Sequence, residues 1–285
     1  MMINSLATRL TSPVVERRPV IIFCKALSVY IVVKVLLTWS VVSDITAFHR
    51  FSQPKAIWSW IVFGPGVWGA AHINGFLVAI VCIAIIALLV QPNYFIAGIL
   101  AWLSFSFYRL IFPIANGSDQ ILLTLVFMAV PLSIWPRLES ERGSVVQDSV
   151  FNTTLLLGKL YVASIYLISG LDKLGSEAWR SGDAFSYIAQ LDFIVNPGLA
   201  SLIPESEEGR LVISWLTILF ELSFPVLIWI GRIRLWVCLV GVVFHVVIGV
   251  FLSLPDFAGI MMVSYLLFFN DSDYRKLSAL FKRKE

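Results

Sequence analysis

The chain has 285 residues, of which 59% are hydrophobic and only 14% charged, and its mean hydropathy is +0.87. Soluble domains contain about a quarter charged residues, so this composition excludes an ordinary soluble protein. The net charge of +3 is too small for a nucleic-acid-binding surface, and we expect no nucleic acid partner. The sequence predicts an all-α, polytopic protein whose main partner is the lipid bilayer.

The first predicted element is the apolar run from Pro19 to Ser43, which follows Arg17 and Arg18. A cleavable signal sequence has an apolar core of only about 7–15 residues, followed by a small-residue cleavage site. This run is longer and has no such site, so we expect an uncleaved first transmembrane span.

Seven further apolar runs follow, most of them close to the roughly 17–25 residues that a membrane-crossing helix needs. Two pairs of runs are separated only by Gln91-Pro92-Asn93 and by Gly231-Arg232, which predicts tight antiparallel hairpins. The sequence therefore predicts a bundle of about eight spans, at residues 20–43, 73–91, 94–114, 119–136, 150–171, 210–230, 233–253 and 256–270.

Lys and Arg residues are distributed unequally between alternate loops, with twelve on one side and five on the other. Because the richer side is usually cytoplasmic, we expect a multi-pass protein of the cell (inner or plasma) membrane with both termini in the cytoplasm. Residues 1–19 are then a cytoplasmic segment, 20–270 the transmembrane domain with an extracytoplasmic segment at 172–209, and 271–285 a basic cytoplasmic tail. A short amphipathic helix is expected at 184–191.

Ionisable residues inside the predicted spans are the candidate functional residues, because a charge at the bilayer centre costs about 2.5–3.5 kcal/mol. Arg109 lies near the outer end of its span and is expected to pair with Asp119 or a carbonyl. Glu221 is expected to neutralise the deeper Lys34 and Lys159. The full set is Lys25, Lys34, Arg109, Lys159, Glu221 and His245.

Lys159, Tyr166 and Lys173 are seven residues apart, so they form one stripe if the fifth helix continues to Lys173. That stripe would run from mid-membrane to the outer surface. The stripe is either a polar seam leading into a site or a row of packing residues. Gly241 and Gly249 flank His245 at four residues on either side, which favours close helix packing there. His245 is then either a structural residue or a proton carrier beside Glu221 or Lys159.

Motifs of other enzyme classes are absent from the sequence. It has no GxSxG, Walker, HExxH or dinucleotide-binding pattern, and its three cysteines have no zinc-binding spacing. We therefore expect no metal and no hydrolase, ATPase or nicotinamide chemistry.

Three stretches carry short motifs in a fixed order. They are Y-L-I-S-G-L-D-K-L-G-S-E-A-W-R-S-G at 166–182, the Asn116-Gly-Ser-Asp119 turn, and Glu221, Pro225, His245, Phe257 and Met261-Met262. Over about residues 15–272 they resemble the HTTM domain, the membrane module shared with vitamin K-dependent gamma-carboxylase. The W-x-x-G spacing is most similar to the short bacterial branch called the sporulation-delaying protein B family.

The resemblance to that branch implies that the chain matures or modifies a secreted peptide at the extracytoplasmic face, together with a small SdpA-like partner protein. In the carboxylase branch, the lysine matching Lys173 deprotonates reduced vitamin K, which implies a base at Lys173 and a reduced quinone as a cofactor. A histidine near the turn in the carboxylase has no counterpart at Asn116 to Asp119, so we do not expect carboxylation itself.

Three hypotheses remain open. The first is peptide maturation, with Lys173, His245 and Glu221 as catalytic residues. The second is a quinone-dependent enzyme related to gamma-carboxylase that uses the same pocket, and the third is a non-catalytic membrane scaffold or immunity-like protein. The expected substrate-binding residues are Asn116, Asp119, Trp179, Gly182, Tyr166, Lys159 and Arg109.

Overall fold

The computed structural model describes residues 10–13, 17–48, 73–111, 115–134, 144–191, 195–196, 198–199 and 202–282. The described part is all-α and contains no strand, which confirms the predicted fold class. The chain divides into two compact units, Met1–Gly158 with Phe269–Ser272, and Lys159–Phe268 with Asp273–Glu285. Most of the predicted N-terminal segment and residues 49–72 lie outside the described residues.

Within the described residues, a helix occurs at each of the eight predicted spans, and three further helices lie between or after these spans. In chain order the helices are α1 (Arg18–Phe48), α2 (Ile73–Leu89), α3 (Tyr94–Ile111), α4 (Gly117–Leu132), α5 (Val145–Gly175), α6 (Glu177–Ser181), α7 (Asp183–Ala189), α8 (Glu207–Leu227), α9 (Arg234–Phe251), α10 (Pro255–Ser264, continued by a 3-10 turn at Tyr265–Phe268) and α11 (Asp271–Lys282).

Four of these helices are long and apolar enough to cross a membrane: Arg18–Val42 within α1, and α5, α8 and α9. The helices α2, α4 and α10 with its turn are shorter but also apolar. Helices are expected in a bilayer because only intrahelical hydrogen bonds satisfy the backbone there. The chain is therefore a membrane protein.

Two elements differ from the sequence prediction, and one short helix agrees with it. Helix α5 has 31 residues and ends at Gly175, so Lys173 lies in its last turn and not beyond it. The predicted amphipathic helix at 184–191 is present as α7. Residues 271–282, predicted only as a basic tail, form the helix α11.

In the first unit, α1 packs against α2 and α3 against α4. The side chains of Phe23, Leu77 and Leu125 are fully buried in this core. Helix α4 begins with a capping box, because the Asn116 side chain accepts a hydrogen bond from the Ser118 backbone while the Asp119 carboxylate accepts one from the Asn116 backbone.

In the second unit, the second half of α5 runs antiparallel to α8. Tyr166 stacks on Phe224, with 3.9 Å between ring centroids, and one turn later Gly170 faces Leu222. A Cβ atom on Gly170 would lie 2.8 Å from the Leu222 Cδ2 atom. The absence of a side chain at this position is what permits the two helices to approach so closely.

Candidate functional site

The centre of the candidate site is a buried ion pair between Lys173 on α5 and Glu221 on α8. The Lys173 Nζ atom lies 2.8 Å from Glu221 Oε2 and donates to Glu221 Oε1 at 2.9 Å. It also donates to the Ser169 hydroxyl at 2.6 Å, and that hydroxyl donates to Glu221 Oε1 at 3.1 Å. The side chains of Lys173 and Glu221 are only 18% and 7% exposed. Three polar groups therefore form a closed triangle within the helix bundle.

The position of this pair along α8 places it within the span. Glu221 lies 14 residues after Glu207 and 6 before Leu227, the first and last residues of the helix. These separations correspond to about 21 Å and about 9 Å along the axis. Helical side chains lean toward the N-terminus of their helix, so the Lys173 amine reaches back toward Ser169. Lys173 itself lies in the last turn of α5, two residues before the helix ends at Gly175.

Trp179 on α6 covers the amine. Its ring centroid lies 5.0 Å from Lys173 Nζ, within the range of a cation–π contact. The Trp179 carbonyl accepts a hydrogen bond from the Ser214 hydroxyl on α8, and Phe185 on α7 packs edge-on against the Trp179 ring at 5.5 Å. The two short helices thus lie along the first half of α8, next to the ion pair.

Gly182 connects these two short helices. Its φ of 87° is in the left-handed region, and a Cβ atom would lie 2.6 Å from the Leu211 backbone nitrogen. Only glycine satisfies both conditions without strain. Gly182 therefore acts by fixing the α6–α7 corner against α8.

A second polar layer lies about two turns before Lys173 on α5, at Tyr166. The Tyr166 hydroxyl is 2.5 Å from His245 Nε2 on α9, and it also forms a short hydrogen bond with the Tyr265 hydroxyl. His245 is 1% exposed, and its Nδ1 atom has no hydrogen-bond partner among the residues that the structure describes. The prediction that His245 lies beside Glu221 or Lys159 is wrong, since its ring contacts two tyrosines instead.

Tyr265 is a member of this layer that the sequence did not identify. Its ring lies against Gly241, in the space that a Cβ atom would fill. The only available signal was Gly241 itself, which predicted a close approach on the face of His245. The sequence does not show that Tyr265 is the residue that approaches, because a tyrosine within an apolar run has the same pattern as any other packing residue.

A second buried ion pair lies in the first unit. Lys34 Nζ on α1 is 2.7 Å from Asp119 Oδ1 on α4, and these side chains are 3% and 5% exposed. The prediction that Glu221 neutralises Lys34 and Lys159 is therefore wrong: Asp119 pairs with Lys34, and Glu221 pairs with Lys173. The acid of the capping box thus also binds a lysine of the neighbouring span.

Of the remaining predicted site residues, Arg109, Asn116 and Asp119 belong to the first unit, and Lys159 lies earlier on α5. Lys159 is half-buried on α5, 14 residues before Lys173, which is about 21 Å along the helix. Arg109 is exposed in the last turn of α3, in the first unit. Of the ten predicted residues, the second unit brings together Tyr166, Lys173, Trp179, Glu221 and His245, with Gly182 supporting Trp179.

The Lys173 cluster can exchange protons. A lysine acts as a base only in its neutral form, and a carboxylate within hydrogen-bond distance can accept the ammonium proton. Glu221 Oε1 provides such an acceptor at 2.9 Å from Nζ, and the Ser169 hydroxyl orients the amine by accepting a hydrogen bond from it at 2.6 Å. Among the described residues there is no group of three or more His, Cys, Asp or Glu side chains that could hold a metal ion.

The comparison with protein families identifies the domain. Residues 120–272, more than half of the chain, match the family described as HTTM domain. The chain belongs to the HTTM domain family. The matched region contains Lys173, Trp179, Glu221 and His245, and it begins one residue after Asp119. The ion pair and the tyrosine layer of this HTTM protein thus lie within the matched domain.

One curated relative is similar over part of the chain. It is the sporulation-delaying protein SdpB of Bacillus subtilis (strain 168), which is 26% identical over 172 residues. The alignment covers 54% of this chain and 51% of the relative, so the chain spans about half the length of the curated relative it matches. No solved structure matches the chain significantly.

Proposed function

We propose that this HTTM protein catalyses a proton-transfer step in the maturation of a secreted peptide at the extracytoplasmic face of the cell membrane. The observation that carries the proposal is the position of the Lys173 amine, which is buried between Glu221 and Ser169 and covered by Trp179. Similarity to SdpB and the motif that surrounds Lys173 favour this role. A small SdpA-like protein is the proposed partner.

The proposed chemistry uses residues that are already in contact. The Lys173 ammonium gives one proton to the Glu221 carboxylate, leaving a neutral amine and a neutral carboxylic acid. The amine then takes a proton from an acidic group of the substrate that approaches beside the Trp179 ring, which restores the ammonium. Glu221 releases its proton to water or to the departing product, which restores the carboxylate and resets the site.

The experiment compares peptides secreted by cells that express the intact chain or its variants. Lys173→Met is expected to abolish the mature peptide mass in the culture medium, as measured by mass spectrometry. Lys25→Met is the matched control, because Lys25 lies near the end of α1 outside both ion pairs. Mature peptide in the Lys173→Met strain, at wild-type protein level in the membrane, would contradict the proposal.

A second variant separates catalysis from folding. Lys173→Met alone leaves the Glu221 carboxylate buried and unpaired, which destabilises a protein by about 3–5 kcal/mol. The double variant Lys173→Met/Glu221→Gln contains no buried charge in this cluster, and we expect it to accumulate in the membrane but to remain inactive. If the double variant matures the peptide, the ion pair is structural and the chain is a scaffold.

A reduced quinone is a second candidate, favoured by one observation. Trp179 presents an aromatic ring 5.0 Å from the Lys173 amine, a combination that suits a flat hydroquinone with an acidic hydroxyl group. When bound, such a group would supply reducing electrons, and Lys173 would accept its hydroxyl proton. Organic extracts of the purified protein should then contain quinone at about one molecule per chain, whereas extracts of Trp179→Ala should contain much less.

A further inference from the structure

Helix α11 begins very close to the end of the apolar helix α10. Only Phe269 and Asn270 separate it from Tyr265–Phe268, the 3-10 turn that continues α10. Two residues extend at most about 7 Å, and the headgroup layer on one side of a bilayer is about 5–7 Å thick. The first turn of α11 therefore lies at the level of the lipid headgroups.

A buried ion pair holds the helix at this level. Asp273 in the first turn of α11 is 1% exposed and bonds through Oδ2 to Arg234 Nη1 at 2.8 Å. Arg234 is the first residue of α9, one of the helices long enough to cross a membrane. The contact ties the start of α11 to the end of a second span, so the helix cannot move away from the membrane surface without breaking this pair.

The two faces of α11 differ in polarity. Tyr274 and Leu277 are three residues apart and partly buried, on the same side as the buried Asp273. Arg275 and Lys276 are exposed to the outside of the helix, and the Lys276 Nζ atom also lies 3.9 Å from Asp273 Oδ1. A helix of this kind lies along a membrane surface, with its apolar side inward and its basic side among the headgroups.

Exposed tryptophan and arginine residues at the turn between α8 and α9 are also typical of a membrane interface. Trp229 and Trp236, which flank the turn between α8 and α9, are 41% and 68% exposed. Tryptophan is enriched at the membrane interface, and the exposed Arg232 lies in the same turn. The surface made by Arg232, Arg275 and Lys276 is thus basic, flanked by interfacial aromatic rings, and at headgroup level.

We propose that the surface formed by Arg232, Arg275 and Lys276 binds the headgroups of anionic phospholipids in the adjacent leaflet. Charge complementarity identifies the occupant, since phosphate groups at this depth carry the opposite charge and a zwitterionic headgroup offers no net attraction. The proposal is independent of the chemistry at Lys173.

The test measures lipid selectivity of the full-length chain reconstituted in bilayers. Electron paramagnetic resonance of spin-labelled phosphatidylglycerol and phosphatidylcholine gives their relative affinities for the protein surface. The wild-type chain is expected to prefer phosphatidylglycerol. Because each basic residue near an anionic surface contributes about fivefold in affinity, Arg275→Gln/Lys276→Gln should reduce this preference by an order of magnitude or more.

A charge-preserving variant serves as the control. Arg275→Lys/Lys276→Arg alters both side chains but keeps both charges, so it should retain the wild-type preference for phosphatidylglycerol. Circular dichroism of each variant checks that the helical content is unchanged. Equal affinity of the wild-type chain for the two lipids would overturn the proposal, and so would an unchanged preference in Arg275→Gln/Lys276→Gln.

Discussion

Lys173 and Glu221 are 48 positions apart in the sequence, and their charged groups lie 2.8 Å apart within the second unit. Gly170 makes this distance possible, because the lack of a side chain lets α5 approach α8 one turn before the lysine. Ser169 then occupies the remaining hydrogen-bonding positions between the amine and the carboxylate. The contact between α5 and α8 thus depends on Gly170, and the hydrogen bonding of the charge pair depends on the adjacent Ser169.

Gly170→Ala should therefore weaken the second unit. The new methyl group would lie 2.8 Å from Leu222 Cδ2 and 3.2 Å from Glu221 Cβ, so α5 and α8 would have to separate or Leu222 would have to change rotamer. Overpacking of this kind costs about 1–3 kcal/mol. The thermal unfolding midpoint of the purified protein should fall. Gly75→Ala is the matched control, because no atom lies within 4 Å of its new methyl group.

Gly182→Ala should release the short helices from α8. A non-glycine residue with positive φ costs about 1–2 kcal/mol, and here the added Cβ atom also meets the Leu211 backbone. Protease cleavage between α6 and α7 should become faster. Gly175→Ala, with nothing within 4 Å of its new methyl group, should be cleaved at the wild-type rate. Equal rates for the two variants would mean that the αL corner does not hold these helices.

The Lys34–Asp119 pair should show strong coupling between its two members. Asp119→Asn leaves the buried Lys34 charge without its partner and is expected to destabilise the first unit by about 3 kcal/mol or more. Adding Lys34→Met removes the unpaired charge and should recover much of this loss. A double-mutant cycle of unfolding free energies measures the coupling, and additive effects of the two substitutions would contradict it.

The positions of the helices followed from the sequence because a long apolar run has one stable conformation in lipid. Every backbone amide must be bonded within its own segment, so length and hydropathy were sufficient to place a helix at each predicted span. The end of α5 was misplaced because apolar character stops near residue 171, while the helix continues to Gly175. Lys173 was consequently expected outside the span.

The partners of the buried charges did not follow from the sequence. Glu221 was the only acid in the central part of a predicted span, and Asp119 was assigned to a turn at the start of another. Which acid pairs with which lysine depends on the helix faces that meet. Packing contacts such as Gly170 against Leu222 determine those faces. Tyr265 was missed for the same reason, since its hydroxyl becomes significant only through contact with Tyr166.

Gly241→Ala should disrupt the tyrosine layer. The Tyr265 ring occupies the space that the added methyl group needs, so the ring must move and its bond to Tyr166 must lengthen or break. Destabilisation of about 1–3 kcal/mol is expected from overpacking. Gly98→Ala in α3 has no atom within 4 Å of its methyl group and should be neutral or slightly stabilising. An unchanged unfolding midpoint for Gly241→Ala would show that this contact contributes little.

The proposed topology places the corner before α6 and the helix α11 on opposite sides of the membrane. Single cysteines at these places, Ser176→Cys and Ser278→Cys, report the side when Cys24, Cys82 and Cys238 are first replaced by alanine. A membrane-impermeant maleimide should label Ser176→Cys in intact cells, and Ser278→Cys only after permeabilisation, because Lys and Arg concentrate on the α11 side. Labelling of both variants in intact cells would overturn the proposed topology, and with it the extracytoplasmic position of Trp179.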